Sequence, residues 1–181
     1  MGLRLPLLIA LGVAAACAAC SSSSPPPTVA LSPAAPTVLP SVQLVTLSGD
    51  RTEVARLAEG RVALVSLWAT WCESCQKEMD ALNRLHAVTA EGRDAIVIGI
   101  DVGEEPETVA GFVRRRGLRY AQLVDERFEL ADAVGQRRVP CTLVLDRRGR
   151  IVFRGDALDT RALEALRRTI AETPSPQPAA Q

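Results

Sequence analysis

This chain has few aromatic residues, few cysteines and no net charge. Aromatics make up 3% of the 181 residues, so the core must be built from Leu, Val, Ile and Ala. The 21 basic and 21 acidic residues cancel, which argues against a nucleic-acid partner because such proteins carry a basic excess. Five cysteines are too few for a disulfide-stapled miniprotein of this length. With 48% apolar and 23% charged residues, the composition is that of a globular protein.

Residues 1–20 are predicted to form a lipoprotein signal peptide. Arg4 precedes an apolar run of about a dozen residues, which fits a signal h-region and is too short to span a bilayer. The stretch Val-Ala-Ala-Ala-Cys that ends at Cys17 resembles a bacterial lipobox, which implies that Cys17 is lipidated. Cys20 is the rival site because a Ser/Pro-rich stretch follows it directly. The remaining alternative is an ordinary cleaved signal with two incidental cysteines.

The rest of the chain divides by composition into three parts. Residues 21–40 are rich in Pro and Ser without periodicity, which is typical of an extended linker. Residues 41–173 have about the usual size of one domain. Residues 174–181 are again Pro-rich and are predicted to be a disordered tail. A lipid followed by a linker and a domain would anchor the domain at a distance from the membrane.

Hydrophobic periodicity predicts an α/β domain. A helix at 72–88 carries Met79, Leu82, Leu85 and Val88 at a spacing of three, which we interpret as one buried face. Strands alternate with helices until a final hairpin with its turn at 146–149, so we expect a mixed sheet with helices on both faces. The predicted strands are 42–47, 62–68, 95–100, 122–124, 142–145 and 151–154; the other predicted helices are a short turn within 51–59, one opened by Pro106, 128–134, and a last one capped by Asp159.

A Cys-x-x-Cys motif, Cys72 to Cys75, lies where the second predicted strand gives way to a helix. Free backbone N–H groups and the helix dipole stabilise a thiolate at a helix N-terminus. We therefore expect Cys72 to attack a substrate disulfide and Cys75 to resolve the mixed disulfide. A zinc site is disfavoured, because the chain has a single histidine, His86, and no second Cys-x-x-Cys. A purely structural disulfide is disfavoured because closing so short a loop adds little stability.

Two stretches carry a family resemblance. Residues 66–75, with Trp-Ala-Thr-Trp-Cys and then Lys77 and Glu78, resemble the active-site stretch of the TlpA/ResA branch of thioredoxin-fold proteins. Residues 135–140, which lead into a strand, resemble the cis-proline segment of that family. The resemblance covers residues 41–172 and implies a thioredoxin-like fold, a central mixed β-sheet flanked by helices on both faces. It also implies a cis Pro140 packed beside the disulfide.

The resemblance extends to further site residues. It implies that the Val139 backbone, next to Pro140, pairs with an extended substrate chain. Trp71 abuts the nucleophile and is expected to shield the disulfide, whereas Trp68 is expected in the core. Glu78 lies three residues after Cys75, on the helix face below it. It is either a semi-buried carboxylate that tunes the thiols, as in ResA-like proteins, or a solvated surface residue.

At four positions the chain departs from the family pattern. Ser74 replaces the usual Pro before the second cysteine, and Asp80 replaces a Pro that often kinks the helix, which predicts a straighter helix. Ser66 stands where cytoplasmic thioredoxins have a buried Asp. Cys141 follows Pro140 where Thr is common; it is either a buried small hydrophobe or a third redox thiol.

The function expected from these features is that of an extracytoplasmic thiol–disulfide oxidoreductase, lipid-anchored on the periplasmic side. It would need no cofactor beyond its dithiol/disulfide and no metal. Its expected partners are protein disulfides, with apocytochrome c as one candidate client, a membrane thiol–electron donor, and the membrane through the lipid. A Sco-like copper metallochaperone is the alternative, although the longer Cys spacing and distant His of that group are missing. A peroxidase on the same fold ranks last, because its cysteine would lie elsewhere.

Overall fold

The computed structural model describes residues 38–92 and 94–172. The predicted signal peptide, the tail and most of the linker lie outside these residues, as do Cys17 and Cys20. The strands are β1 (Leu44–Thr46), β2 (Arg51–Thr52), β3 (Val62–Trp68), β4 (Ala95–Val102), β5 (Ala121–Asp125), β6 (Cys141–Leu145) and β7 (Ile151–Gly155). The helices are α1 (Val54–Ala58), α2 (Glu73–Gly92), α3 (Pro106–Arg116), α4 (Glu129–Ala133) and α5 (Thr160–Glu172).

The described strands form one mixed sheet in the order β2-β1-β5-β4-β3-β6-β7. β3, β4 and β5 are parallel, whereas β1, β2, β6 and β7 join them by antiparallel pairing. The strand β3 lies between β4 and β6 and is buried along its whole length, as its nearly continuous apolar sequence predicts. The carboxyl end of β3, where the Cys-x-x-Cys motif follows, therefore lies in the interior of the sheet and not at its edge.

Helices cover both faces of the sheet, which confirms the predicted architecture. One core lies beneath α2, α3 and α5 and includes Met79, Val109 and Leu166. The other lies beneath α1 and α4 and includes Val54 and Leu130. As predicted, the core is largely aliphatic.

The first core also contains the aromatic side chains of Trp68, Phe112 and Tyr120. Trp68 is the largest of them. This side chain is 1% exposed, and its ring centroid lies 5.5 Å from that of Phe112. Its indole N–H donates to Gln122 Oε1 at 3.2 Å. The prediction that Trp68 belongs to the core is confirmed.

The helix after the motif corrects one prediction. Met79 and Leu82 are buried and Leu85 packs partly against the same core, but Val88 is 72% exposed. Each step of three residues turns a helix by about 300°, so three steps carry Val88 to the side opposite Met79. The prediction of one face with a strict spacing of three was therefore wrong at its last member. α2 itself continues through Asp80 without a break.

One shorter element differs from its predicted bounds. The predicted helix at 128–134 forms only from Glu129 to Ala133, because Phe128 adopts a left-handed backbone with φ of 60°. The difference lies at the ends of the element, where local backbone conformation outweighs periodicity. The short helical turn predicted within 51–59 is confirmed as α1, which follows β2.

Candidate active site

Cys72 occupies the residue directly before α2. Its carbonyl accepts the backbone N–H of Gln76 at 3.1 Å, so Cys72 stands at the N-terminal end of the helix. The structure joins it to Cys75 by a disulfide with an S–S distance of 2.05 Å and a Cα–Cα distance of 5.3 Å. The two cysteines thus lie together at the carboxyl end of β3 and the positive end of a long helix.

The sulfur of Cys72 has two hydrogen-bond partners. The backbone N–H of Cys75 donates to Cys72 Sγ at 3.2 Å, so this sulfur accepts a hydrogen bond in the same way as the side chain of a helix N-cap residue. The hydroxyl of Ser74 lies 3.4 Å from the same sulfur. Both contacts stabilise negative charge on Cys72 once the disulfide is reduced. The two cysteines differ little in exposure, at 5% for Cys72 and 2% for Cys75. They differ in position, because Cys72 directly precedes α2 and Cys75 lies in its first turn.

The segment before β6 approaches the cysteines from the neighbouring strand. The Val139–Pro140 peptide is cis. β6 begins at Cys141, which pairs with Leu67 near the end of β3, so Val139 lies outside this ladder. The half-buried Val139 side chain packs against the core that contains Cys72 and Cys75.

Trp71 and Trp68 lie in different environments although three residues separate them. The Trp71 side chain is 66% exposed, directly before Cys72, whereas Trp68 is buried. Most of the Trp71 ring therefore faces solvent and offers an aromatic surface next to Cys72. An exposed ring of this kind provides contact area to an incoming chain at a low entropic cost.

Glu78 is half-buried on α2 rather than fully solvated. Its Oε1 accepts the backbone N–H of Leu158 at 3.1 Å, while its Oε2 is buried without a partner among the described residues. Burial raises the pKa of the Glu78 carboxyl; the Leu158 hydrogen bond opposes the rise, and the charge of Asp159 adds to it. A carboxyl group with a raised pKa, one helical turn from Cys75, suits the exchange of protons with a thiol.

The buried Tyr120 side chain interacts electrostatically with Glu78. Burial raises the pKa of Tyr120 to about 12; the nearby Gln122 side chain opposes the rise, and the charge of Glu78 adds to it. The Tyr120 hydroxyl has no partner of normal hydrogen-bond geometry among the described residues. Tyr120 therefore stays protonated beside the Glu78 carboxyl at physiological pH.

The loop before Cys72 is held by contacts that the sequence did not predict. Glu104 Oε2 accepts the backbone N–H of Thr70 at 2.6 Å, and Glu104 Oε1 accepts its hydroxyl at 2.6 Å. On the other side, Gln76 Nε2 donates to the Thr70 carbonyl at 2.8 Å. The topology could have indicated this contact, because β3 and β4 are parallel and their carboxyl ends, which Thr70 and Glu104 follow, meet at one edge of the sheet.

Cys141 does not face the disulfide. The structure places its side chain in the core beneath α1 and α4, on the other side of the sheet from Cys72 and Cys75. It is fully buried and not disulfide-bonded. Burial raises its pKa to about 11, although the charge of Arg154 opposes the rise. These facts favour the interpretation of Cys141 as a small buried hydrophobe.

The described residues contain neither a cluster of metal-ligating side chains nor a membrane-spanning helix. In residues 38–92 and 94–172, no group of three His, Cys, Asp or Glu side chains lies close enough together to hold a metal ion. Within the same ranges, no helix combines the length and apolarity needed to cross a bilayer. The predicted lipidation site, Cys17, falls in the part of the chain that is not described.

Curated relatives are similar to a part of the chain. It is 31% identical over 106 residues to "Thiol-disulfide oxidoreductase ResA" of Halalkalibacterium halodurans, covering 59% of each chain. It is 27% identical over 113 residues to the protein of the same name from Bacillus thuringiensis, covering 62% of this chain and 64% of the relative. The chain thus spans about three fifths of the length of these curated relatives.

Solved structures share the fold over a larger part of their length. A thiol:disulfide interchange protein of the thioredoxin family from Chlorobium tepidum aligns with a TM-score of 0.62 at 24% identity, over 77% of this chain and 99% of the other. A secreted thiol-disulfide isomerase from Corynebacterium glutamicum aligns with a TM-score of 0.64 at 25% identity, over 74% and 85%. The thioredoxin-like fold expected from the sequence is therefore confirmed.

A family model gives the assignment of the chain itself. The model of the AhpC/TSA family matches residues 36–154, which include the Cys-x-x-Cys motif and the Val139–Pro140 segment. The relatives named ResA bear out the TlpA/ResA-like resemblance seen in the motifs. This chain belongs to the AhpC/TSA family, has a thioredoxin-like fold and is similar to the relatives named ResA.

Proposed function

We propose that this domain is a thiol–disulfide oxidoreductase that reduces protein disulfides through Cys72 and Cys75. The observation that carries the proposal is the Cys72 sulfur at the N-terminal end of α2, where it accepts the Cys75 backbone N–H and lies beside the Ser74 hydroxyl. Such donors lower the pKa of a thiol and favour the thiolate that attacks disulfides. The names of the curated relatives support the same activity.

The reaction begins with the reduced protein. The Cys72 thiolate attacks one sulfur of the substrate disulfide; an S–S bond forms between protein and substrate, and the other substrate sulfur leaves as a thiolate that takes a proton. Cys75 then loses its proton and attacks Cys72 Sγ, which releases the second substrate thiolate. Two electrons have passed to the substrate, and the protein holds the Cys72–Cys75 disulfide.

Glu78 is suited to accept the proton that Cys75 must lose. It lies three residues further along α2, on the same side of the helix, and its Oε2 has no partner among the described residues. Its raised pKa brings its proton affinity closer to that of a thiol. The Leu158 N–H holds the other oxygen in place, so the carboxyl does not need to reorganise for the transfer.

The substrate chain would dock between Val139 and Trp71. Val139 lies outside the β6 ladder, so its backbone groups can pair with an extended chain by β-strand addition. Trp71 adds an exposed aromatic surface beside the attacking sulfur. A backbone-paired client is recognised mainly by its extended shape, which suits a reductase that acts on unfolded or flexible proteins.

We propose a lipid-anchored location outside the cytoplasmic membrane, on the periplasmic side. The lipobox-like stretch before Cys17 and the Pro/Ser-rich linker behind it support this placement. In an oxidising compartment the domain needs an electron source, so a membrane thiol–electron donor would regenerate the dithiol. Apocytochrome c, with paired cysteines that must be reduced, is a client of the right chemistry.

The activity is tested by reduction of insulin disulfides with a chemical thiol as electron donor. The wild-type domain is expected to accelerate reduction, and Cys72→Ser is expected to abolish the acceleration. Cys141→Ser serves as the matched cysteine control and is expected to stay active. A Cys72→Ser variant as fast as wild type would refute the assignment. Copper titration of the reduced protein tests the Sco-like alternative, which predicts stoichiometric binding of copper.

A further inference from the structure

The carboxyl group of Glu104, which accepts the hydrogen bonds of Thr70, interacts with a second carboxyl group, that of the fully buried Asp101. Asp101, near the end of β4, is 0% exposed, and neither of its carboxylate oxygens accepts a hydrogen bond from a donor group of the described residues. Its neighbours in register, Trp68 on β3 and Val124 on β5, carry no titratable group. The titratable group that faces Asp101 is the Glu104 carboxyl. Since two carboxyl groups can hydrogen-bond only through a proton, this pair is built to share one.

The protonation of Asp101 follows from its surroundings. Burial, and after it the hydrogen bond and charge of Glu104, raise the pKa of Asp101 to about 8. The backbone N–H of Glu104 opposes this rise without reaching hydrogen-bond geometry. At neutral pH Asp101 therefore carries a proton that it can donate to Glu104. The two oxygens of Glu104 accept both donors of Thr70.

We propose that Glu104 is a positioning residue for the loop that presents Cys72, and that the proton on Asp101 keeps Glu104 in place. Thr70 lies two residues before Cys72. Its N–H and hydroxyl bind Glu104, and its carbonyl binds Gln76, so the loop is fixed from both sides. This inference rests on the proposed oxidoreductase function and deepens it, because it assigns roles to residues that do not touch the sulfurs.

The arrangement predicts a limit at alkaline pH. Below the pKa of Asp101 the proton bridges the two carboxyls and the Thr70 contacts are intact. Above it, two carboxylates face each other in a buried site, and their repulsion displaces Glu104 from Thr70. The loop then loses its fixed geometry, and attack by Cys72 slows because the sulfur is no longer held in position.

The experiment measures kcat/KM for insulin reduction at pH values on both sides of 8. Asp101→Asn places an amide N–H against Glu104 at every pH, so this variant is expected to match wild type at neutral pH and to lose the alkaline decline. Glu104→Gln is expected to lower kcat/KM about tenfold at neutral pH, because an amide cannot accept both Thr70 donors. Glu107→Gln, at an exposed position in the first turn of α3, is the control and is expected to behave as wild type.

A second pair of variants avoids the buried site, so that misfolding cannot imitate the effect. Thr70→Val removes the hydroxyl donor and is expected to lower kcat/KM severalfold, whereas Thr70→Ser keeps the donor and is expected to restore it. The rate of Cys72 alkylation in the reduced protein, followed against pH, gives a readout that needs no substrate. For wild type it should show a second transition near pH 8, which Asp101→Asn removes.

The outcomes separate the two proposals. Glu104→Gln and Thr70→Val variants with wild-type rates and unchanged pH profiles would overturn the positioning role. A wild-type protein that does not reduce insulin, yet shows the second transition in alkylation, would overturn the proposed activity while supporting the role of the carboxyl pair. A wild-type alkylation profile with a single transition, unchanged in Asp101→Asn, would overturn the proton-sharing pair.

Discussion

Removing the Ser74 hydroxyl is expected to make Cys72 a weaker acid. The hydroxyl lies 3.4 Å from Cys72 Sγ, and in the reduced protein it can donate to the thiolate. A hydrogen bond to a charged group contributes about 1.5–3 kcal/mol. Because this contact is long and Ser74 is exposed, we take about 1 kcal/mol, below that range. Ser74→Ala should therefore raise the pKa of the Cys72 thiol by about 0.7.

The same change is expected to lower the reduction potential of the Cys72–Cys75 pair. Above the pKa of Cys72 the thiolate is the reduced species, so its loss of about 1 kcal/mol makes the dithiol less stable relative to the disulfide. For a two-electron couple this corresponds to a potential about 20 mV lower. The variant should be a slightly stronger reductant with a less acidic nucleophile.

Two measurements check these values. The ultraviolet absorbance of the thiolate, followed against pH, gives the pKa of Cys72, and equilibration with glutathione gives the potential. Ser74→Thr is the matched control because it keeps a hydroxyl at the same position, and it should behave as wild type. The reasoning would be refuted if Ser74→Ala left both the pKa and the potential unchanged.

Three further changes test the packing around the site. Leu82→Ala is expected to lower the free energy of unfolding by about 2–5 kcal/mol because it leaves a cavity at a buried position. Val88→Ala, on the exposed side of the same helix, should change the free energy of unfolding by less than about 0.5 kcal/mol. Denaturant titration compares the two variants, and equal losses would contradict the assignment of the buried and exposed faces. Gly99→Ala is expected to cost about 1–3 kcal/mol, as measured by denaturant titration, because the added Cβ would overlap Gln122 Oε1; no loss would contradict this close packing. Cys141→Ala should reduce insulin at the wild-type rate with a stability loss of about 1 kcal/mol; lost activity with intact folding would restore a redox role for this thiol.

The architecture could be predicted because its signals are local. The apolar run from Val62 to Trp68 is long enough to indicate a strand buried on both faces, and a Cys-x-x-Cys immediately after it fixes a strand-to-helix junction. Gly117 and Gly149 adopt the positive φ angles that end a helix and form a turn. Each of these features depends on residues within a few positions of one another.

The parts of the site that the sequence did not predict depend on contacts across the sheet. Thr70 and Glu104 are 34 residues apart and meet because β3 and β4 are parallel neighbours. Leu158 reaches Glu78 across 80 residues. The Asp101 carboxyl is buried by that same pairing of strands and not by its own neighbours in sequence. Contacts of this kind depend on how the strands pair in the sheet, and hydrophobic periodicity alone does not predict that pairing.

The central claim, that Cys72 attacks and Cys75 resolves, is tested most directly by trapping the mixed disulfide. The reduced Cys75→Ser and Cys72→Ser variants are each incubated with a protein disulfide, and peptide mass spectrometry identifies the cysteine that carries the substrate. The account predicts a stable adduct on Cys72 in the Cys75→Ser variant, and little or none on Cys75 in the Cys72→Ser variant. An adduct that forms as fast on Cys75 as on Cys72 would contradict it.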